Sequence, residues 1–195
     1  MSVDDERQRL IAAAWSILER TGFAGLKVQR VAAEAKLSTR GFYRHFSDKD
    51  ELLLVLVHDE IDRAAAFLTR AVQRAEGPVA AVSAWVAAVI GAATDPARVD
   101  RARLFTLITP ELRREHDSID GALRALWAPL RGAIRDGQGS GAFGTVQADL
   151  DALLIHELAG ARLRAAIELG RPNEVGDMID ETIDFVLRAL SSSAQ

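Results

Sequence analysis

Apolar residues recur along this chain every three or four positions, and no run of β-branched residues alternates with period two, so the pattern commits it to helices. Leu10, Ala13, Ala14, Ile17 and Leu18 form one stripe over about residues 5–20, which Gly22 closes. A short helix over about 28–35 follows, then a break at Lys36-Leu37. Ser38 is placed to cap a second short helix ending near Phe46, and Ser47 to cap a longer one running to about Arg74. Beyond it, Gly77-Pro78, Asp95-Pro96 and Thr109-Pro110 open helices expected to end near 94, 108 and 136. Gly137 to Gly144 reads as a flexible linker, and two more helices are expected over about 148–169 and 174–190. The expected class is all-α, with about nine helices: a three-helix unit over residues 1–47 and a larger body over 48–195.

The absence of cysteine excludes disulfides, thiolate metal sites and cysteine nucleophiles. The acidic, polar first residues do not resemble a signal peptide, so a cytoplasmic protein is expected. Gly77–Thr94 carries no charge over 18 residues, but half of it is Ala or Gly, and it reads as a buried bundle helix rather than a membrane span. The net charge of −4 hides an asymmetry. Lys27 to Lys49 holds six bases against two acids, whereas Glu51 onward holds 15 bases against 21 acids. Because salt screens charges beyond about 8–10 Å, the basic segment attracts phosphate locally whatever the body carries.

That segment has the form a DNA major-groove reader needs: two short helices joined by a tight turn inside a three-helix unit. Phe42 and Phe46 share one face and, with Leu37, are expected to anchor the second helix on Ile17, Val28 and Val31. Arg40, Gly41, Tyr43 and Arg44 fall on the opposite face. Arg40 and Arg44 are one turn apart, and their planar guanidinium groups suit guanine edges and phosphates. Gly41, an unfavourable helix residue, is expected there for close backbone approach to DNA.

The run from Arg9 to Phe23, then Val28-x-x-Val-Ala32, then Leu37 to Leu52 with its Phe42-Tyr43 pair, Phe46 and Lys49, resembles the amino-terminal signature of the TetR family of regulators. The resemblance covers residues 7–55. It implies that Tyr43 and His45 touch the DNA backbone and that Lys49 reaches a phosphate. It places Thr39, Arg40, Gly41 and Arg44 on the base-reading surface, and Gln29 and Arg30 at the groove's edge. Lys36 stands where the family usually has the turn's glycine, and Lys27 where a Ser or Thr commonly caps. The implied partners are a palindromic double-stranded operator, a second copy of the chain and a small-molecule effector, with no cofactor or metal.

In the body, two stripes are candidates for a dimer interface: Leu154, Leu158 and Ala161 in one helix, and Ile179, Ile183 and Val186 in the next. Burial within one chain explains a single stripe on each equally well. Phe67, Trp85, Phe105 and Trp127 lie on four expected helices and suit an apolar ligand pocket, with His116 and His156 to orient a ligand; ordinary core packing is the alternative. Gly139-Ser-Gly141-Ala-Phe-Gly144 matches a dinucleotide-binding glycine pattern, but a helix precedes it where that motif needs a strand. No His-Glu-x-x-His or similar spacing points to a catalytic metal, so an enzyme is not expected. The expectation is an effector-responsive DNA-binding regulator, most simply a repressor. The alternative is a helical small-molecule-binding or interaction protein that does not read DNA.

Overall fold

A computed structural model describes residues 3–96, 98–103, 117–170 and 172–191. Its described residues form helices α1 (Val3–Thr21), α2 (Val28–Glu34), α3 (Thr39–Phe42), α4 (Lys49–Gln73), α5 (Pro78–Ile90), α6 (Asp117–Gly139), α7 (Ala148–Leu169) and α8 (Val175–Ser191). A further helical segment covers residues 99–103, and there is no strand among the described residues.

Local chemistry explains the element ends. Asp4, Asp5 and Glu6 lie in the first turn of α1 and Arg20 in its last, each matching the sign of the helix dipole. Lys27 precedes α2 in an extended conformation and gives it no side-chain cap. At the other end, Lys36 takes φ 57°, and Leu37 N–H donates to the Ala32 carbonyl at 2.8 Å. A lysine thus closes the helix in the left-handed bend where glycine is usual. Ser38 accepts from Gly41 N–H at 3.0 Å and starts α3.

The cap of α4 is Asp48, not the expected Ser47: its carboxylate accepts from Glu51 N–H at 2.8 Å, while Glu51 accepts from Ser47 N–H at 2.6 Å. The reciprocal pair satisfies two donors at once.

The uncharged stretch is α5. Ala81, Val82, Trp85, Val86 and Ile90 bury along it, and Trp85 Nε1 donates to the Leu126 carbonyl at 3.0 Å. No helix among the described residues is long and apolar enough to cross a membrane. Helix α5 runs at the centre of the body, against α4, α6, α7 and α8.

The segment expected to be a flexible linker is an ordered corner. Phe143 is buried, its N–H donates to the Gly137 carbonyl at 3.1 Å, and Gly144 N–H donates to the Leu190 carbonyl at 2.9 Å. A Cβ at Gly137 would fall inside the Phe143 ring, so that glycine is there for close packing, not for freedom. Buried residues from α1 through α8 form one continuous cluster.

Candidate nucleic-acid interface

Helices α2 and α3 are seven and four residues long, too short to persist alone. Their position depends on packing. Phe42 and Phe46 are both fully buried with ring centroids 5.5 Å apart, and they share a core with Leu10, Ile17, Val31 and Leu52. Regular helix stops at Phe42, short of the expected Phe46, and the chain continues as helical turns in which Phe46 N–H still donates to the Phe42 carbonyl at 3.1 Å. The two rings therefore face inward as expected, on a shorter rod.

The outward face is formed by Thr39, Arg40, Tyr43 and Arg44, all exposed. Tyr43 is 55% exposed and meets the edge of Phe42 with ring centroids 5.4 Å apart, so a buried ring supports the exposed one. Gln29 and Arg30 are exposed near the start of α2, and Lys49 opens α4 half-buried.

Two expected surface residues are placed otherwise. Gly41 is buried, and a Cβ there would come 3.3 Å from Leu37 Cβ, so its smallness serves the approach of α3 to the preceding turn. The His45 ring is only 3% exposed and presents Nε2 to a Glu6 carboxylate oxygen at 3.0 Å. The same oxygen accepts from Arg44 Nη2 at 2.9 Å. The His45 hydrogen bond, assisted by the Arg44 charge, holds the Glu6 carboxyl below the usual carboxylate range. Glu6 had no signal in the sequence, since 38 residues separate it from Arg44 and no local spacing links them.

A second polar cluster joins this unit to the body. Arg101 lies over the Trp15 ring, 4.3 Å from its centroid, and contacts Glu19 of α1 at 3.3 Å and Glu60 of α4 at 3.4 Å. Trp15 Nε1 in turn donates to Asp59 at 3.2 Å. Burial raises the Glu60 pKa against the opposing pull of Arg101. A cavity of 260 Å³ beside this cluster is lined by Gln8, Ile11, Trp15, Glu19, Arg63 and Arg101, among others. Sequence reasoning missed it for the same reason as Glu6: its residues come from three distant segments.

The body brings together only some of the expected pocket residues. The His156 ring packs against two tryptophans, with its centroid 4.7 Å from that of Trp127 and 6.1 Å from that of Trp85. Phe67 stands under the Arg98 guanidinium at 3.8 Å instead. Phe105 and His116 lie outside the described residues.

Of the expected dimer residues, Leu154 is 57% exposed, Ala161 is exposed, and Leu158, Ile179 and Ile183 are half-buried. Val186 is 1% exposed and packs into the chain's own core, so it does not share the exposure of the other stripe residues. Phe185 beside it, which sequence reasoning passed over, is 56% exposed.

Residues 10–56 match the model of bacterial regulatory proteins of the tetR family. The HTH-type transcriptional regulator HbdR of Aromatoleum sp. (strain CIB) is 29% identical over 77 residues, which are 40% of this chain and 34% of that protein. The chain is thus matched to only about a third of that relative's length. In fold, a TetR transcription regulator from Haloarcula marismortui superposes with TM-score 0.76 at 20% identity, covering 97% of this chain and 100% of the other. RolR, solved in complex with resorcinol, superposes with TM-score 0.71 at 17% identity, covering 96% of this chain and 88% of the other. The amino-terminal segment thus matches the tetR-family model over residues 10–56, and the helical architecture over nearly the whole chain is similar in fold to solved TetR regulators.

Proposed function

We propose that the chain is a ligand-responsive transcriptional regulator, acting as a repressor in the cytoplasm, that binds a palindromic operator as a homodimer and releases it when a small apolar effector binds the body. The observation that carries this reading is the disposition of one short segment. Phe42 and Phe46 are sealed in the core while Arg40, Tyr43 and Arg44 stand exposed on a rod narrow enough for the major groove. Residues 1–47 act as the reading unit and 48–195 as the dimerising, effector-binding body.

Exposed apolar residues support the dimer. Leu150, Leu154 and Leu169 of α7 and Phe185 of α8 are large and solvent-exposed in the single chain, on the two helices that carry the expected interface. Two-fold pairing would set two reading units one DNA turn, about 34–36 Å, apart. The Trp85, Trp127 and His156 cluster supports an aromatic or apolar effector, and a neighbour in fold is known with a small phenolic ligand. The Arg101 cluster touches α1 and α4 together, so a shift of the 99–103 segment changes how the reading unit sits.

Selection from a pool of genomic duplexes by the purified chain tests the reading. A single enriched palindrome retained at physiological salt is expected. Retention without sequence preference overturns it in favour of a helical binding protein that does not read DNA. Leu154→Glu is expected to give monomers by sedimentation and to weaken retention of the palindrome.

A further inference from the structure

Glu6 faces the reading surface from behind. One of its carboxylate oxygens accepts from both Arg44 Nη2, at 2.9 Å, and His45 Nε2, at 3.0 Å. The three partners differ in exposure: the His45 side chain is 3% exposed, Glu6 15% and Arg44 62%. A buried ring thus fixes the carboxylate, and the carboxylate holds one end of an arginine whose remaining donors reach solvent. Glu6 precedes the residues matched to the family model, which begin at 10.

An untethered arginine on a short turn samples many rotamers and attracts any phosphate, because undirected DNA attraction depends on charge alone. Reading a base edge needs direction as well, since the two donors must meet two acceptors in one plane. A carboxylate on one Nη supplies direction and offsets the charge at the same time. We propose that Glu6 is a specificity-determining residue. It orients the Arg44 guanidinium toward base edges and suppresses its undirected attraction to DNA phosphates. The inference rests on the DNA-binding reading above and deepens it.

Two probes separate the effects: the duplex that the wild-type chain enriches from a random-sequence pool, and a shuffled duplex of the same length. Titrations of both run over a range of salt. With Glu6→Gln, the shuffled duplex is expected to bind about 3- to 10-fold tighter, with a salt slope steeper by about one unit per protomer, while the enriched duplex changes less. The selectivity ratio therefore falls. Glu6→Asp keeps the charge but is one methylene too short to reach Arg44; it is expected to weaken the enriched duplex and leave the shuffled one unchanged. In an Arg44→Gln background, Glu6→Gln is expected to leave the ratio where that background sets it, which loss of fold alone would not do.

A wild-type chain that is selective, with Glu6→Gln showing the same ratio and salt slope, overturns the proposal and leaves the DNA reading standing. The same fall in ratio with Arg44 already replaced overturns it too. A wild-type chain that enriches no duplex overturns the DNA reading, and this inference with it.

Discussion

The reading unit and the body solve the same packing problem with different resources. The body uses long helices, with α4, α6 and α7 at 25, 23 and 22 residues, each carrying enough apolar surface to hold its place by burial. The unit of α1 to α3 has only one long helix. Its α2 and α3 are seven and four residues long and depend on Ser38, the Lys36 bend and two buried phenylalanines. Short elements leave most of their surface to solvent, which a groove reader needs. In exchange, few contacts set their geometry. The unit is therefore the region where one substitution should do most.

Phe42→Ala is the largest expected effect. It should cost about 3–5 kcal/mol as lost burial plus cavity, and hydrogen exchange should show α2 and α3 losing protection first while α5 keeps its own. Equal loss across α5 would mean that the two regions unfold as one cooperative unit. Next comes Arg44→Ala, expected to weaken the enriched palindrome by about 1–3 kcal/mol, or roughly 5- to 150-fold, with the melting temperature little changed because Arg44 lies on the surface. Lys49→Ala should also weaken binding, with a salt slope shallower by about one per protomer. Unchanged affinity and slope in both variants would remove those contacts from the reading surface.

Lys36→Gly should stabilise the chain by about 0.5–1 kcal/mol, since relief of a left-handed lysine exceeds the added freedom of the unfolded chain. Chemical denaturation measures it, and destabilisation would show that the bend carries no strain.

The smallest expected effect tests the junction. The folded pKa of Glu60 lies above its unfolded value because burial disfavours the charge. Above that raised value burial opposes folding, and the opposition fades as pH falls from the folded value to the unfolded one. Glu60→Gln should accordingly raise the melting temperature slightly at pH 7, and the gain should vanish in acid. A lower melting temperature at pH 7 would show that the Arg101 pairing outweighs burial.

The parts legible in the sequence were those fixed by neighbours in the chain. The α1 stripe, the Ser38 cap, the inward pair Phe42 and Phe46, and the oddity of Lys27 and Lys36 each follow from spacings of a few residues. Errors arose where adjacent residues compete or a regular helix was assumed. Ser47 and Asp48 are both capping types, and backbone geometry chose Asp48. Helical spacing puts Gly41 away from Phe42, yet the turn at Leu37 lies against it and buries it. Glycine-rich composition suggested freedom at 137–144, but Gly137 is small because Phe143 lies against it.

The sequence by itself determined that this protein is helical, where most of its helices begin, and which short basic segment is the candidate for reading DNA. Those properties follow from periodicity and from the stereochemistry of Gly, Pro and the capping residues, which act over one or two turns. Tertiary structure alone decided that Val186 turns inward while Phe185 faces out, that His156 packs against both Trp85 and Trp127, and that Glu6 reaches Arg44. Each depends on the angle at which distant helices meet, and that angle is set by the packing of the whole core.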